Sequence, residues 1–104
     1  MVRPLTLFAV MTVHGPGWDP ARSIREQDLW DEHAAFMDGL VESGFVAMGG
    51  PLADGDHALL AVEAGSEGEV RERMAADPWA ASGHLEISEV HEWSIWLGRH
   101  PAGS

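Results

Sequence analysis

Two apolar runs, at residues 5–13 and 57–63, constrain the fold of this chain more than any other feature. An extended strand alternates its side chains between two faces, and in these runs both faces are apolar, as the neighbours Leu7 and Phe8 illustrate. A strand with water on one face alternates apolar and polar residues instead. We therefore expect two strands that are covered on both faces.

Two helical patterns accompany these runs. Ser23 and Ser66 are each followed three residues later by a glutamate, the capping-box signature of a helix start. The first predicted helix should end at Gly44, and the second should stop before Pro78. The apolar stripe of the first helix, at three- and four-residue spacing, consists of Trp30, His33, Ala34, Met37, Leu40 and Val41.

Two further strands complete the pattern. Residues 45–48 predict a short strand that ends at the breaker 49–51, and residues 84–97 predict a long one with a bulge near 88–91. The resulting order is βαββαβ, in one domain over residues 1–104. Right-handed crossovers then place the first and third strands in the middle of an antiparallel sheet, with both helices on one face. The expected fold class is α+β.

This topology has two consequences. Two helices cover one face of the sheet, so the other apolar face is expected to meet a second copy, giving a homodimer through the sheet face. The same edge of the sheet collects the exit of the first strand, the start of the first helix, the breaker after the second strand, the exit of the second helix and the start of the last strand. Any site should lie there.

The composition excludes several classes of function. The formal charge is −11, with 17 acidic residues, six arginines and no lysine, which argues against a nucleic-acid partner and disfavours an anionic membrane surface. The absence of cysteine excludes disulfides and thiolate catalysis. Neither a signal peptide nor a run of roughly 20 apolar residues is recognisable, so a cytoplasmic protein is expected.

His33 and Asp77 are the candidate catalytic residues. His33 lies within an apolar helical stripe, where a carboxylate partner is the usual way to satisfy and orient a ring nitrogen. The topology brings Asp77, at the exit of the second helix, beside the first helix, and such a pair can act as a general acid–base unit. A purely structural histidine and an aspartate that only ends a helix, before Pro78, are the alternatives.

The candidate substrate-binding residues surround this pair. They are Trp18, Arg25, Gly49, Gly50, Pro51 and Trp79. The glycines leave room for a ligand but lack the spacing of a phosphate-binding loop, and Arg25 is either a substrate anchor or half of a solvated pair with Glu26. The tryptophans either line an apolar cavity or belong to the core. The histidines lack ligand-like spacing, so neither a metal nor another cofactor is expected.

The chain resembles the YciI-related family. The resemblance rests on Glu32-His33, on Gly49-Gly50-Pro51-Leu52 and on Asp77-Pro78-Trp79 with Gly83 after it, and it covers roughly residues 22–97. It implies a ferredoxin-like fold of the dimeric α+β barrel type and a His–Asp pair with a proposed catalytic role, matched here by His33 and Asp77. The segment from Trp18 to Gln27 is longer than the usual family loop, which suggests a subfamily with its own substrate.

What this resemblance implies about activity is a lyase or isomerase acting on a small oxygenated compound. A related group dehydrochlorinates chlorinated hydroxyhydroquinones, and the wider superfamily includes muconolactone isomerases. His33 would be the general acid–base and Asp77 would orient it. The alternatives are a non-catalytic module that binds a small ligand, in which the pair only fixes packing, and a structural dimeric partner of another enzyme.

Overall fold

A computed structural model describes residues 5–98 and contains one four-stranded sheet. Its elements in chain order are β1 (Thr6–His14), a 3-10 turn (Ile24–Glu26), α1 (Trp30–Glu42), β2 (Val46–Pro51), β3 (His57–Ala64), α2 (Glu67–Met74), α3 (Pro78–Ala81) and β4 (Leu85–Glu92). The predicted α+β class and the βαββαβ order are confirmed, with the short α3 added. In residues 5–98 no helix is long and apolar enough to cross a membrane.

The sheet has the order β2-β3-β1-β4, with all neighbours antiparallel, so β1 and β3 lie in its middle as predicted. The even-numbered residues Phe8 and Val10 of β1 are buried in a core with Leu40 of α1 and Val70 of α2. Both long helices therefore pack on one face of the sheet. The other face carries the odd-numbered residues of β1, such as Ala9, and no helix.

The first helix begins later than predicted. Glu26 accepts a hydrogen bond from the Ser23 backbone N–H at 2.9 Å, but this pair closes only a single 3-10 turn. The chain is extended at Gln27, and Leu29 takes the left-handed conformation with φ 65° before α1 starts at Trp30. The predicted start at Ser23 is wrong, because this turn belongs to a loop that is held by tertiary contacts.

Three other details differ from the prediction. The segment 49–51 continues β2 instead of breaking it, since Gly49 pairs with Leu60. Val41 of the predicted stripe is 52% exposed. The last strand ends at Glu92, short of the predicted residue 97. Its bulge is confirmed at residue 88, where the register against β1 shifts by one residue.

Candidate active site

A cavity of about 490 Å³ opens at the edge of the sheet where the topology predicted a site. Both His33 and Asp77 line it, and five of the six predicted substrate-binding residues do so as well: Trp18, Gly49, Gly50, Pro51 and Trp79. Arg25 does not line the cavity and its side chain is exposed on the 3-10 turn. The structure therefore assembles every predicted element of the site except this arginine.

The His33 ring lies against the Asp77 carboxylate. Its Nδ1 is 2.9 Å from Oδ1 and 2.8 Å from Oδ2, as expected for a charge-assisted hydrogen bond. Both side chains are largely buried, 12% exposed for His33 and 3% for Asp77. Because a carboxylate only accepts, Nδ1 carries the proton, and the lone pair of neutral His33 is on Nε2. No other described side chain or backbone group bonds this ring, so Nε2 is available to the cavity.

Asp77 lies between α2 and α3 and is held by its contact with the start of α3. Asp77 is the N-cap of α3, and its Oδ1 accepts the Trp79 backbone N–H at 2.9 Å. Pro78 occupies the first turn of α3, where its missing N–H costs nothing. The interpretation of Asp77 as a plain helix stop is therefore incomplete, because its carboxylate starts a new helix and holds His33 at the same time.

Trp79 supports the histidine from behind. Its indole is 1% exposed and stacks on the His33 ring, with centroids 3.9 Å apart and planes 9° apart. Its Nε1–H donates to the Asp28 backbone carbonyl at 2.7 Å, which ties α3 to the residues just before α1. His84, which is stacked on the Trp79 ring with centroids 5.5 Å apart, is not among the lining residues. Stacking on Trp79 therefore holds the plane of the His33 ring, and the hydrogen bond to Asp77 sets its rotation within that plane.

The missing side chain of Gly49 leaves room beside the cavity for atoms of the neighbouring strand. A Cβ at this position would collide with the Leu60 side chain on the neighbouring strand β3. The glycine therefore permits the close approach of β2 and β3 beside the cavity, without any phosphate-loop conformation. A breaker was predicted here because two glycines and a proline are more common in turns. The structure places all three residues in β2 instead.

Several lining residues were missed from the sequence. Thr12 faces the cavity from β1, and its hydroxyl has no hydrogen-bond partner among the described residues. A signal was present: Thr12 has the parity of buried Phe8 and Val10, so a polar side chain stands at a core-facing position. Asp56, in the turn between β2 and β3, and His57, the first residue of β3, also line the cavity.

Asp54 lies at the centre of that turn, and its carboxyl group has a lowered pKa. The Asp54 carboxylate accepts the backbone N–H groups of Asp56 and His57, and it is 2.6 Å from Nδ1 of His57. These hydrogen bonds favour the ionised form and lower the pKa of Asp54 to about 2. Asp54 therefore fixes the turn that presents His57 to the cavity. No group of three or more His, Asp or Glu side chains within residues 5–98 is arranged to hold a metal ion.

Comparison with solved structures finds a similar enzyme. The fold resembles 5-chloro-2-hydroxyhydroquinone dehydrochlorinase (TftG) from Burkholderia phenoliruptrix AC1100, solved in complex with 2,5-dihydroxybenzoquinone. The match has a TM-score of 0.62 and 26% sequence identity, and it covers 85% of this chain and 93% of the other. No curated protein matches the chain significantly. The family model of the YCII-related domain matches residues 7–94, so this chain belongs to the YCII-related family.

Proposed function

We propose that the protein is a lyase or isomerase that transfers protons on a small oxygenated ring compound. His33 is the general acid–base, and Asp77 orients it. The observation that carries this proposal is the hydrogen bond of 2.8 Å between Asp77 and His33 Nδ1, at the wall of a cavity that Nε2 can reach. Imidazole exchanges protons readily near neutral pH, and an oriented imidazole is the commonest general acid–base in enzymes.

The proton balance of such a reaction needs no oxidant or reductant. A hydroxyl oxygen of the ring compound loses its proton to the protein, and the electron pair of the O–H bond becomes the second bond of a carbonyl. The displaced π pair forms a new C–H bond with a proton from the protein. Where that carbon carries a halogen, a second hydroxyl then loses its proton to the protein, and the electron pair of its O–H bond becomes a second carbonyl bond. The displaced π pair forms a new C=C bond at the halogen-bearing carbon, and the halide leaves with the electron pair of its bond.

The cavity supports a flat, uncharged or weakly acidic substrate. Three indoles, those of Trp18, Trp30 and Trp79, contribute to its walls, and no arginine or lysine is among the described lining residues. Aromatic faces bind flat rings by stacking, whereas a carboxylate usually requires a guanidinium partner. The similar enzyme acts on a chlorinated hydroxyhydroquinone and binds a dihydroxybenzoquinone, which is consistent with this class of compound.

The test is a substrate screen with matched variants. Wild type, His33→Ala, Asp77→Asn and the control His91→Ala are incubated with hydroxylated and chlorinated aromatic rings, including 5-chloro-2-hydroxyhydroquinone. Ultraviolet spectra and chloride release report turnover. On any substrate that the wild type converts, we expect kcat to fall about 10²- to 10⁴-fold in both site variants, because each removes or misorients the general acid–base. His91, an exposed residue bonded to Glu89, should be replaceable without loss.

Two outcomes would contradict the proposal. Full activity of His33→Ala on a confirmed substrate would make the His33–Asp77 pair structural. Tight binding of these ring compounds by the wild type, with no conversion of any of them, would instead support the non-catalytic ligand-binding module.

A further inference from the structure

We propose that His14 is a second catalytic histidine of the same cavity, which contacts the substrate and exchanges a proton with it alongside His33. This inference rests on the proposed function and deepens it, since it assigns both ends of the proton transfer to named side chains. His14 is the last residue of β1, and it reaches the cavity from the sheet, whereas His33 reaches it from α1.

The hydrogen-bonding state of His14 distinguishes it from the other histidines. Residues 5–98 contain five histidines, and four of them have a ring nitrogen bonded within the protein. Their partners are Asp77 for His33, Asp54 for His57, Ser82 for His84 and Glu89 for His91. Within residues 5–98 no hydrogen bond reaches a ring nitrogen of His14, and the carboxylate oxygen Asp56 Oδ1 is 3.9 Å from its Nδ1, which is too long for a hydrogen bond. Both nitrogens of His14 are therefore free for a ligand.

The ring of His14 is nevertheless held in place. It stacks on the indole of Trp18, with centroids 3.5 Å apart and planes 9° apart, and its side chain is only 23% exposed. Trp18 in turn meets the edge of Trp79, whose face supports His33. Stacking fixes the plane of the His14 ring without occupying its nitrogens, which is the arrangement that a substrate-contacting group requires.

The surroundings of His14 favour its neutral form. Burial lowers its pKa below the ordinary value of 6.5, and the positive form of His57 acts in the same direction. Asp56 and Asp54, which face it from the turn between β2 and β3, oppose this shift without cancelling it. A neutral imidazole has one nitrogen that accepts a proton and one that donates a hydrogen bond, so at neutral pH His14 can act as a base.

Two proton-exchange groups on different walls match the proposed chemistry. His14 takes the hydroxyl proton as the carbonyl forms, and the protonated His33 delivers a proton from Nε2 to the ring carbon. His14 gains one proton and His33 loses one, so exchange with water restores both after each turnover. A single histidine would have to complete the two transfers one after the other, with the substrate turned or the proton carried between them.

The test uses 2,5-dihydroxybenzoquinone as the probe. Its dissociation constant is measured from pH 5.5 to 8 for wild type, His14→Phe, His33→Ala and the control His91→Phe. Phenylalanine preserves the stacking on Trp18 but removes both nitrogens. Because this probe is acidic, protonated His14 should bind it more tightly, so the wild-type affinity should rise as the pH falls. His14→Phe should lose about tenfold in affinity at pH 6 and much of that dependence, while His91→Phe should match the wild type. The probe ionises identically with every variant, so the difference belongs to the protein.

A second measurement needs no substitution. In wild type labelled with ¹⁵N-histidine, the probe should shift the imidazole signals of His14 and of His33 and leave those of His91 unchanged. Unchanged His14 signals, together with a wild-type pH profile for His14→Phe, would overturn this inference. If His33→Ala still weakened the probe in that case, the proposed function would stand without His14. No binding of the probe to the wild type would count against both.

Discussion

Asp77 serves two neighbours with one carboxylate. Its Oδ1 accepts the Trp79 N–H at the start of α3, and both its oxygens lie within 2.9 Å of His33 Nδ1. The side chain is almost fully buried, so neither contact competes strongly with water. The orientation of the candidate general acid–base is therefore coupled to the start of a helix, and the two contributions can be separated by substitution.

Two substitutions of Asp77 should separate capping from orientation. Asp77→Ala removes the cap and leaves His33 Nδ1 buried without a partner, which should lower the free energy of unfolding by about 1–3 kcal/mol. Asp77→Asn keeps an oxygen for the Trp79 N–H and should cost less, although its amide can stabilise the wrong tautomer of His33. Urea denaturation measures both. Equal losses in the two variants would show that the cap contributes little.

The loop between β1 and α1 is organised by one buried amide. Gln27 is 3% exposed, and its Oε1 accepts the Asp19 N–H at 2.9 Å. Its Nε2 donates to the carbonyls of Asp19 at 2.7 Å and Arg22 at 3.1 Å. These bonds close the loop on itself, beside Trp18 at the cavity wall. The element that carries Trp18 thus depends on a residue that does not line the cavity.

Substitution of Gln27, which does not itself line the cavity, should loosen the loop that carries Trp18. Gln27→Ala should lower the free energy of unfolding by about 1–3 kcal/mol, because the backbone groups of Asp19 and Arg22 lose their hydrogen bonds to a buried side chain. It should also weaken ligand binding, because Trp18 is less well placed. Urea denaturation and hydrogen exchange at the Asp19 amide measure the two effects. The control is Arg22→Ala, which removes only an exposed ion pair with Asp28 and should change stability by less than about 1 kcal/mol. Equal effects of the two variants would contradict the assignment.

The helix-free face of the sheet is apolar, and no described helix packs on it. Ala9 and Ala61 pair across the two central strands on this face, and Met48 beside them is 70% exposed. Beyond β4, Trp96 and Leu97 are 89% and 90% exposed. Exposed apolar side chains beside an apolar sheet face that no described helix covers are characteristic of an interaction surface. We propose that a second copy covers it, as the apolar pattern of both central strands predicts.

Light scattering at micromolar concentration tests this dimer. Wild type should have about twice the 11.3 kDa mass of the chain. Ala9→Glu places a buried charge in the proposed interface and should give the monomer, because an unpaired charge is costly to bury. Ala35→Glu adds the same charge to the exposed side of α1 and should leave the dimer intact. A wild type that is monomeric and soluble would refute the proposal.

The order of the elements, the order of the strands and the pairing of His33 with Asp77 could all be predicted from the amino-acid sequence. Hydrophobic periodicity depends on the local chain, and the handedness of crossovers allows few topologies, so these features need no knowledge of individual contacts. The edge that holds the cavity followed from the same topology. Thr12 could also have been predicted, because its even-numbered position in β1 faces the core like Phe8 and Val10.

The start of the first helix and the polar groups that stay unbonded depend on contacts across the fold. Ser23 and Glu26 form their local bond, but Gln27 bonds back to Asp19 within the loop. The Asp28 carbonyl is bound by the distant Trp79, and the helix is delayed to Trp30. Arg25 is exposed on that turn and outside the cavity for the same reason. The free nitrogens of His14 are likewise invisible in the sequence, because the absence of a hydrogen bond depends on distances across the fold and not on the pattern of residues along the chain.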